Sequence, residues 1–492
     1  MNLSPERKPE MRPAVPAATP SGVRSTPRQS AESADPTEQL RFEVFSRIDT
    51  LAPEIVATRR SFHRYPEVGW TEFCTAARVA TALESWGWQV RAGPAVTAAW
   101  ARMGVPGPAE LEAAWQRARE LVLTPGIAGD WGPQERLLRW LEIMRGGFTG
   151  IVADLPLGSR GEQQPLVAFR FDLDALPLPE STDPSHPPAL NGYVSTRPGV
   201  MHACGHDGHI AMGLALGRLA PLLAPHLRGR LRLIFQPAEE GCRGARAMLA
   251  AGACDGVTAL ICVHLGLGLP TGTVAGGAVD FLACSQYEAV FQGKSAHAGI
   301  APQEGRSALL AAAQAALALA TLPQDSRAIT RVNVGRLISG TAANIVPAHA
   351  QLLFETRSSR TEVNAELGER AEAIIQGTAT AFACSAYLTR IGEGAAENSN
   401  PELAHLVAEA AATIPQVRQV ILHHPFGASE DATLLMEATH RQGGKATYIL
   451  LGADTASAHH SSTFEFDETA LPIGVKLLAS TLITLAAPAS AG

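Results

Sequence analysis

Leu166-Val167-Ala168-Phe169-Arg170-Phe171 runs without a break into Asp172-Leu173-Asp174. A short, nearly continuous apolar run of this kind reads as a strand covered on both faces, as in sheets flanked by helices. Related runs recur at Gly150 to Leu155, Leu231 to Gln236 and Ala259 to Val263. Three of them stop where polar clusters begin, at Asp172 to Asp174, Pro237 to Glu240, and His264. Open α/β sheets place their sites beyond the strand ends, so these three ends are expected to bring carboxylates and an imidazole to one rim. Upstream, from about Arg41, the residues Phe45, Ile48, Ile55, Ala57 and Phe62 fall at helical spacing, which makes the unit a layered α/β domain.

A different pattern starts after about Cys284. A strand (Gln286 to Phe291), an Ala/Leu-rich helix (Arg306 to Leu322), two strands (Arg331 to Leu337 and Ala350 to Thr356), a helix (Glu362 to Phe382) and a strand (Ser385 to Arg390) follow one another. This β-α-β-β-α-β order is ferredoxin-like. The first style resumes with a helix from Glu402, strands near Val420 and at Ala446 to Leu451, and a helix from Leu471. The expected fold is therefore a discontinuous layered α/β catalytic domain, residues 41–283 and 398–492, carrying an inserted ferredoxin-like α+β lid or dimerisation domain, residues 284–397. Within the first part, residues 98–145 read as two helices around Thr124-Pro125-Gly126, capping the domain or simply added to its surface. Residues 1–40, rich in Pro, Ser, Ala and Arg, are expected to form a disordered tail.

The 492 residues are 46% hydrophobic with a formal net charge of -7, enough for two or three domains with real cores. No run approaches the ~20 apolar residues of a membrane span, and no secretory pattern opens the chain, so no membrane partner and a cytoplasmic location are expected. Basic runs are absent, which argues against nucleic acid. The seven cysteines are odd in number and scattered, as reduced thiols are.

The densest chemistry lies in Met201-His202-Ala203-Cys204-Gly205-His206-Asp207-Gly208-His209. Thiolate and imidazole suit a divalent transition ion, and a Cys-x-His pair needs further donors from elsewhere in the chain. Glu239 and Glu240 are adjacent carboxylates on a strand-to-loop turn. They point in different directions, so one can hold an ion while the other carries a proton. Alone they fit a solvated acidic turn equally well. His264 at a strand end is more often structural than ligating, and of His459 and His460 at most one is expected to reach an ion. A thiol amidase with Cys204 as nucleophile and His206 or His209 as base is a competing arrangement, although two residues of spacing dispose that pair poorly.

Taken in order, several motifs resemble those of the metal-dependent aminoacylase/carboxypeptidase superfamily, in the amidohydrolase branch with auxin-conjugate and hippurate hydrolases. They are Phe62-His63-Arg64-Tyr65-Pro66-Glu67, Arg170 to Pro177, Met201 to Asp207, Gln236 to Gly241, Lys294 to Gly299, Asn344-Ile345-Val346-Pro347 and His460. The likeness runs from about Leu51 to Ala486. Residues 98–150, Ser326 to Gly335 and Ser429-Glu430-Asp431-Ala432-Thr433 further resemble the p-aminobenzoyl-glutamate hydrolases of the A-subunit type.

That resemblance implies two divalent metal ions per subunit, manganese first, with zinc, cobalt or nickel also suited. The implied ligands are Cys204, His206, Glu240, His264 and His460, with the thiolate bridging and His459 as the other choice for the last position. Glu239 becomes the general base and acid, and Asp172 and Asp174 orient a ligand imidazole. His297 binds the oxyanion by lid closure or across a dimer interface. Asn344 and Arg357 bind the substrate's carboxylate, and Arg331 and Asn333 a second one. The implied reaction splits the folate breakdown product p-aminobenzoyl-glutamate into p-aminobenzoate and glutamate. The alternatives are a broader N-acyl amino acid, hippurate or auxin-conjugate amidohydrolase, and a non-catalytic partner subunit. The implied assembly is a homodimer or a heterodimer with a homologous subunit.

Overall fold

A computed structural model of the chain describes residues 35–127, 129–158, 165–322 and 325–488. Most of the expected tail lies outside the described residues, but its boundary is corrected: residues 36–40 already belong to the helix Pro36–Arg64. Asp35 starts that helix by accepting from the Thr37 amide at 3.0 Å. Pro36 sits in the first turn, where a missing N–H is harmless. The cap, rather than apolar content, marks this start.

Twelve strands among the described residues form two sheets. In chain order they are β1 (Gln89–Ala92), β2 (Ile151–Leu157), β3 (Leu166–Asp172), β4 (Gly229–Gln236), β5 (Ala259–Leu265), β6 (Thr273–Val279), β7 (Ala283–Gln292), β8 (Thr330–Ser339), β9 (His349–Ser358), β10 (Ser385–Gly394), β11 (Gln419–Pro425) and β12 (Lys445–Leu451). The larger sheet has the order β1-β2-β4-β3-β5-β12-β6-β11. Its centre is parallel: β4, β3, β5 and β12 run the same way and are buried almost throughout. The apolar runs of the sequence are these central strands, covered on both faces as their composition requires.

The helices Pro36–Arg64, His206–Leu223 and Ala470–Ala486 pack with one another and supply apolar residues to the same core as Phe169, Phe171 and Phe235. Of the strands not expected from sequence, β1 is very short and β6 contains Gly276-Gly277. A side chain at Gly276 would lie 2.3 Å from the Ala404 carbonyl oxygen, so close packing puts glycine and alanine in the middle of this strand and breaks the apolar run that announces one.

The smaller sheet, order β10-β7-β9-β8, is antiparallel throughout. With the helices Ala308–Leu319 and Thr361–Ala381 it encloses a core of its own. This is the ferredoxin-like arrangement, inserted in the chain between β6 and β11 of the larger sheet. The chain is thus a discontinuous layered α/β unit bearing an inserted α+β lid. Residues 98–145 form the helices Pro108–Leu123 and Gln134–Met144, preceded by a segment that roots on the larger unit where the Ala98 amide donates to the Ala247 carbonyl at 2.9 Å. No helix among the described residues is long and apolar enough to cross a membrane.

Candidate metal centre

Strand ends β3, β4 and β5 are neighbours in the larger sheet, so their loops open on one rim. The turn after β4 is built by carboxylates. Asp174 accepts from the Glu239 amide at 2.9 Å and the Glu240 amide at 3.0 Å, and Glu72 accepts from Ala238 at 2.8 Å. Ala238 holds a φ of 51° there, and these acceptors fix that unusual backbone. The helix His206–Leu223 starts against the same rim, after Gly205 at φ 94°, a conformation that suits glycine.

The five expected donors come together. Cys204, His206 and His264 form one group and Cys204, Glu240 and His460 another, each with ligand atoms within 4.8 Å of one another. Cys204 Sγ lies 3.5 Å from His264 Nε2, and His460 Nε2 lies 3.4 Å from Glu240 Oε1. Backbone carbonyls set the imidazole tautomers. His206 Nδ1 donates to the Asp174 oxygen at 2.8 Å and His264 Nδ1 to the Leu265 oxygen at 2.9 Å, which leaves each Nε2 with a lone pair facing the group. His459 instead turns its Nε2 to the Leu265 carbonyl at 3.2 Å and packs on Phe464.

The residues fit a divalent ion. His206 Nε2 and Glu240 Oε1 are buried without a hydrogen-bond partner, a costly state unless a cation satisfies them. The neighbouring Cys204 and Glu240 side chains pull the His460 imidazole up to about 10. At His206, burial opposes the charge, but Asp172, Cys204 and Asp174 together outweigh it and raise the imidazole well above its usual range. Both shifts express the same preference for positive charge. Burial, with the Glu240 carboxylate, pushes the Cys204 thiol up, opposite to what a nucleophilic thiol needs. His209 is also committed, with Nδ1 on Asp172 at 2.6 Å and Nε2 accepting from the Leu265 amide at 3.0 Å. Geometry therefore counts against the thiol-amidase arrangement.

Asp172 and Asp174 both stand beside the His206 imidazole, with carboxylate oxygens 3.8 and 3.6 Å from its Nδ1. The ligand imidazole of His206 is held by the main-chain oxygen of Asp174, while the Asp174 carboxylate shapes the Glu239-Glu240 turn. The Asp172 carboxylate holds His209 and accepts from Arg170 Nη1 at 2.7 Å.

Glu239 is buried, with Oε2 3.7 Å from His206 Nε2 and within 4.8 Å of the buried Glu430 and Asp431 carboxylates. Burial first, then Glu430 and Glu240, raise its carboxyl well above the ordinary range. Beneath it Arg170 donates to Gln236 at 2.9 Å, Glu430 at 3.1 Å and Asp431 at 3.3 Å, while Tyr448 donates to Glu430 at 2.8 Å.

A second ionic network was not foreseen. Arg59 and His63 both donate to Asp207, at 2.7 and 2.8 Å, and His63 also reaches Glu180 at 2.8 Å. Asp207 follows His206 on the helix, so this fully buried network pins the helix start that carries a donor. His63 belongs to one of the family-like motifs, which was its only sequence signal.

On the lid, exposed His297 lies beside exposed Asn344, joined through the Ala298 amide and the Asn344 carbonyl at 3.0 Å. His297 Nδ1 accepts from Gly299 and Ile300 at 3.1 and 3.2 Å, so its Nε2 carries the proton when neutral. None of these contacts involves the five donors. Arg331 faces Arg357 across β8 and β9, and Asn333 faces Glu355. Arg357 is gripped by Glu355 at 2.9 and 3.0 Å and reaches Ser429 at 3.3 Å, next to Glu430.

Residues 168–484 match the family described as peptidase family M20/M25/M40. The chain belongs to that family. It is 43% identical to an indole-3-acetyl-aspartic acid hydrolase of Enterobacter agglomerans and 42% identical to the A-subunit of p-aminobenzoyl-glutamate hydrolase from Escherichia coli K12, each over 89% of this chain and 97% of the relative. A crystal structure of an aminobenzoyl-glutamate utilization protein from Klebsiella pneumoniae matches with a TM-score of 0.75 and 37% identity, over 89% of this chain and 97% of that one. This M20 protein is accordingly a metal-dependent hydrolase of the N-acyl amino acid amidohydrolase class, and the family's inserted dimerisation domain corresponds to the lid.

Proposed function

We propose that the protein hydrolyses p-aminobenzoyl-glutamate to p-aminobenzoate and glutamate. The observation that carries this reading is Glu239, a buried carboxylate standing beside two donor groups that share Cys204. A second reading, hydrolysis of indole-3-acetyl-aspartate, is favoured by the near-equal identity to the Enterobacter enzyme. Both substrates join an aromatic acyl group to an acidic amino acid.

Cys204, His206, Glu240, His264 and His460 would hold two divalent ions, manganese by preference, Cys204 being the residue common to both donor groups. Bound there, the ions supply a Lewis acid for the scissile carbonyl and lower the pKa of water. Glu239 takes a proton from the attacking water and returns it to the amine nitrogen as the C–N bond breaks. Its raised proton affinity suits it to keep that proton between the two steps. His297 Nε2–H donates to the oxyanion when the lid closes or when a partner protomer presents it. Asn344 and Arg357 bind the substrate's main-chain carboxylate, with Arg331 and Asn333 nearby on the lid. The working form is a cytoplasmic homodimer, or a heterodimer with a homologous subunit.

The test is a panel of p-aminobenzoyl, indoleacetyl, benzoyl and acetyl conjugates of glutamate, aspartate and glycine, assayed with the manganese-loaded enzyme. The highest kcat/KM is expected for p-aminobenzoyl-glutamate. Equal rates on its glycine counterpart would remove the acidic-substrate reading.

A further inference from the structure

Arg243 closes the turn that carries Glu239 and Glu240. Its Nε donates to the Glu240 carbonyl at 2.8 Å and its Nη1 to the Gly104 carbonyl at 3.2 Å. The same point is touched by the lid. A side chain on Gly104 would lie 2.6 Å from Arg243 Cδ and 2.9 Å from the Ile391 carbonyl oxygen, so turn, cap segment and β10 of the lid meet there with no room to spare. Ile391 also lines a hollow of about 210 Å³ on the lid sheet, together with Gln286, Asn333 and Glu355. Arg243 and this hollow are near neighbours: a side chain on Gly241 would meet Arg243 Nε at 3.4 Å and Gln286 Oε1 at 3.6 Å.

The partners of Arg243 differ from those of several other arginines of the site and the lid. Arg170 is surrounded by Asp172, Glu430 and Asp431, Arg357 is held by Glu355, and Arg246 and Arg390 both pair with Glu393. Among the described residues Arg243 has only main-chain acceptors. It is partly exposed, and its Nη2 and remaining Nη1 hydrogens are uncommitted. A guanidinium offers a planar fork matched to carboxylate, and leaving one half-desolvated with no anion beside it is unfavourable unless a ligand supplies the charge.

We infer that Arg243 receives the side-chain carboxylate of the substrate's acidic amino acid and so makes the enzyme choose glutamate or aspartate over neutral residues. The inference rests on the acidic-conjugate reading above and assigns that selectivity to one residue on the catalytic side of the cleft.

The experiment compares kcat/KM for p-aminobenzoyl-glutamate and p-aminobenzoyl-glutamine, which differ only in that carboxylate. The manganese-loaded full-length protein and its Arg243→Gln and Arg243→Lys variants are assayed, with metal content measured on each. The wild type should favour glutamate by about 10- to 100-fold, the span expected of a charged hydrogen-bonded pair. Arg243→Gln should collapse that ratio to near one, and Arg243→Lys, which keeps charge without the fork, should retain part of it. Arg243→Met gives the same readout if the glutamine variant does not fold. Equal losses on both substrates, or an unchanged ratio, would overturn the inference and leave the acidic-substrate reading standing. A wild type that cleaves neither conjugate would overturn both.

Discussion

His63 should make the protein's stability fall as pH rises through the alkaline range. It is fully buried, with Nδ1 2.8 Å from Asp207 and Nε2 2.8 Å from Glu180. Burial works against its charge, but the hydrogen bonds to Asp207 and then Glu180 outweigh it and hold the imidazole at about 9, against an ordinary 6.5. A group whose pKa is higher folded than unfolded stabilises fully below the unfolded value, and the benefit disappears as pH passes the folded value. The 2.5-unit difference between those two values corresponds to about 3 kcal/mol. The assay is urea unfolding of the metal-loaded wild type and His63→Leu across pH 6 to 9.5. The leucine variant is expected to be less stable at pH 6, and the gap should close by about 3 kcal/mol toward the upper end. A gap that stays constant over that window would refute the idea that His63 is an imidazolium in the folded protein.

Other outcomes follow from the site. Glu239→Gln should lower kcat by roughly 10³-fold or more, since one group serves both proton transfers, while metal content measured by plasma spectrometry stays normal. Cys204→Ser removes the donor common to both groups and should reduce bound metal at both positions, whereas His460→Ala should spare the Cys204, His206 and His264 group. Chelation should abolish turnover, and added manganese should restore it. His297→Ala should cut kcat by about 10²-fold with metal content unaffected, the usual loss of one oxyanion donor.

Much of the site was legible because buried strands end abruptly. Asp172, the Glu239-Glu240 pair and His264 each follow or close an apolar run, and sheet order alone brings those ends together. The lid was legible from alternating helix and strand periodicities, which its small separate core preserves. Strand β6 was hidden because close packing against Ala404 demands glycine. The ionic networks were hidden for another reason: their members are far apart in sequence. Arg170 lies within a buried strand and meets Glu430, 260 positions away, and Arg59 on a surface-seeming helix meets Asp207, 148 positions away. Charged residues in such places read as solvent-facing until their partners are located. That the main-chain oxygen of Asp174 makes the bond to His206 was not legible, because every residue possesses such an oxygen.

The two halves of the site are held with different rigidity, and this bears on how the reaction is gated. Two of the donors, His206 at a helix start and His264 on a strand end, are fixed by buried hydrogen bonds to the Asp174 and Leu265 carbonyls, and the Asp207 network pins the helix that carries His206. His297 and Asn344 instead lie exposed on the lid, held by its own loop amides. Among the described residues, side-chain bonds between the lid and the larger unit include Arg357 to Ser429, next to Glu430, Arg246 to Glu393, and Thr433 to the Ala395 amide. On the proposed mechanism, a metal platform would hold Glu239 ready before substrate arrives, whereas His297, as the oxyanion donor, would come into register when the lid moves or a second protomer docks. Substrate that bridges Arg357 on the lid and the turn below would add to those ties. Binding of the amino-acid half would then be the event that brings His297 to the carbonyl, and conjugates lacking the main-chain carboxylate should lose kcat as well as affinity.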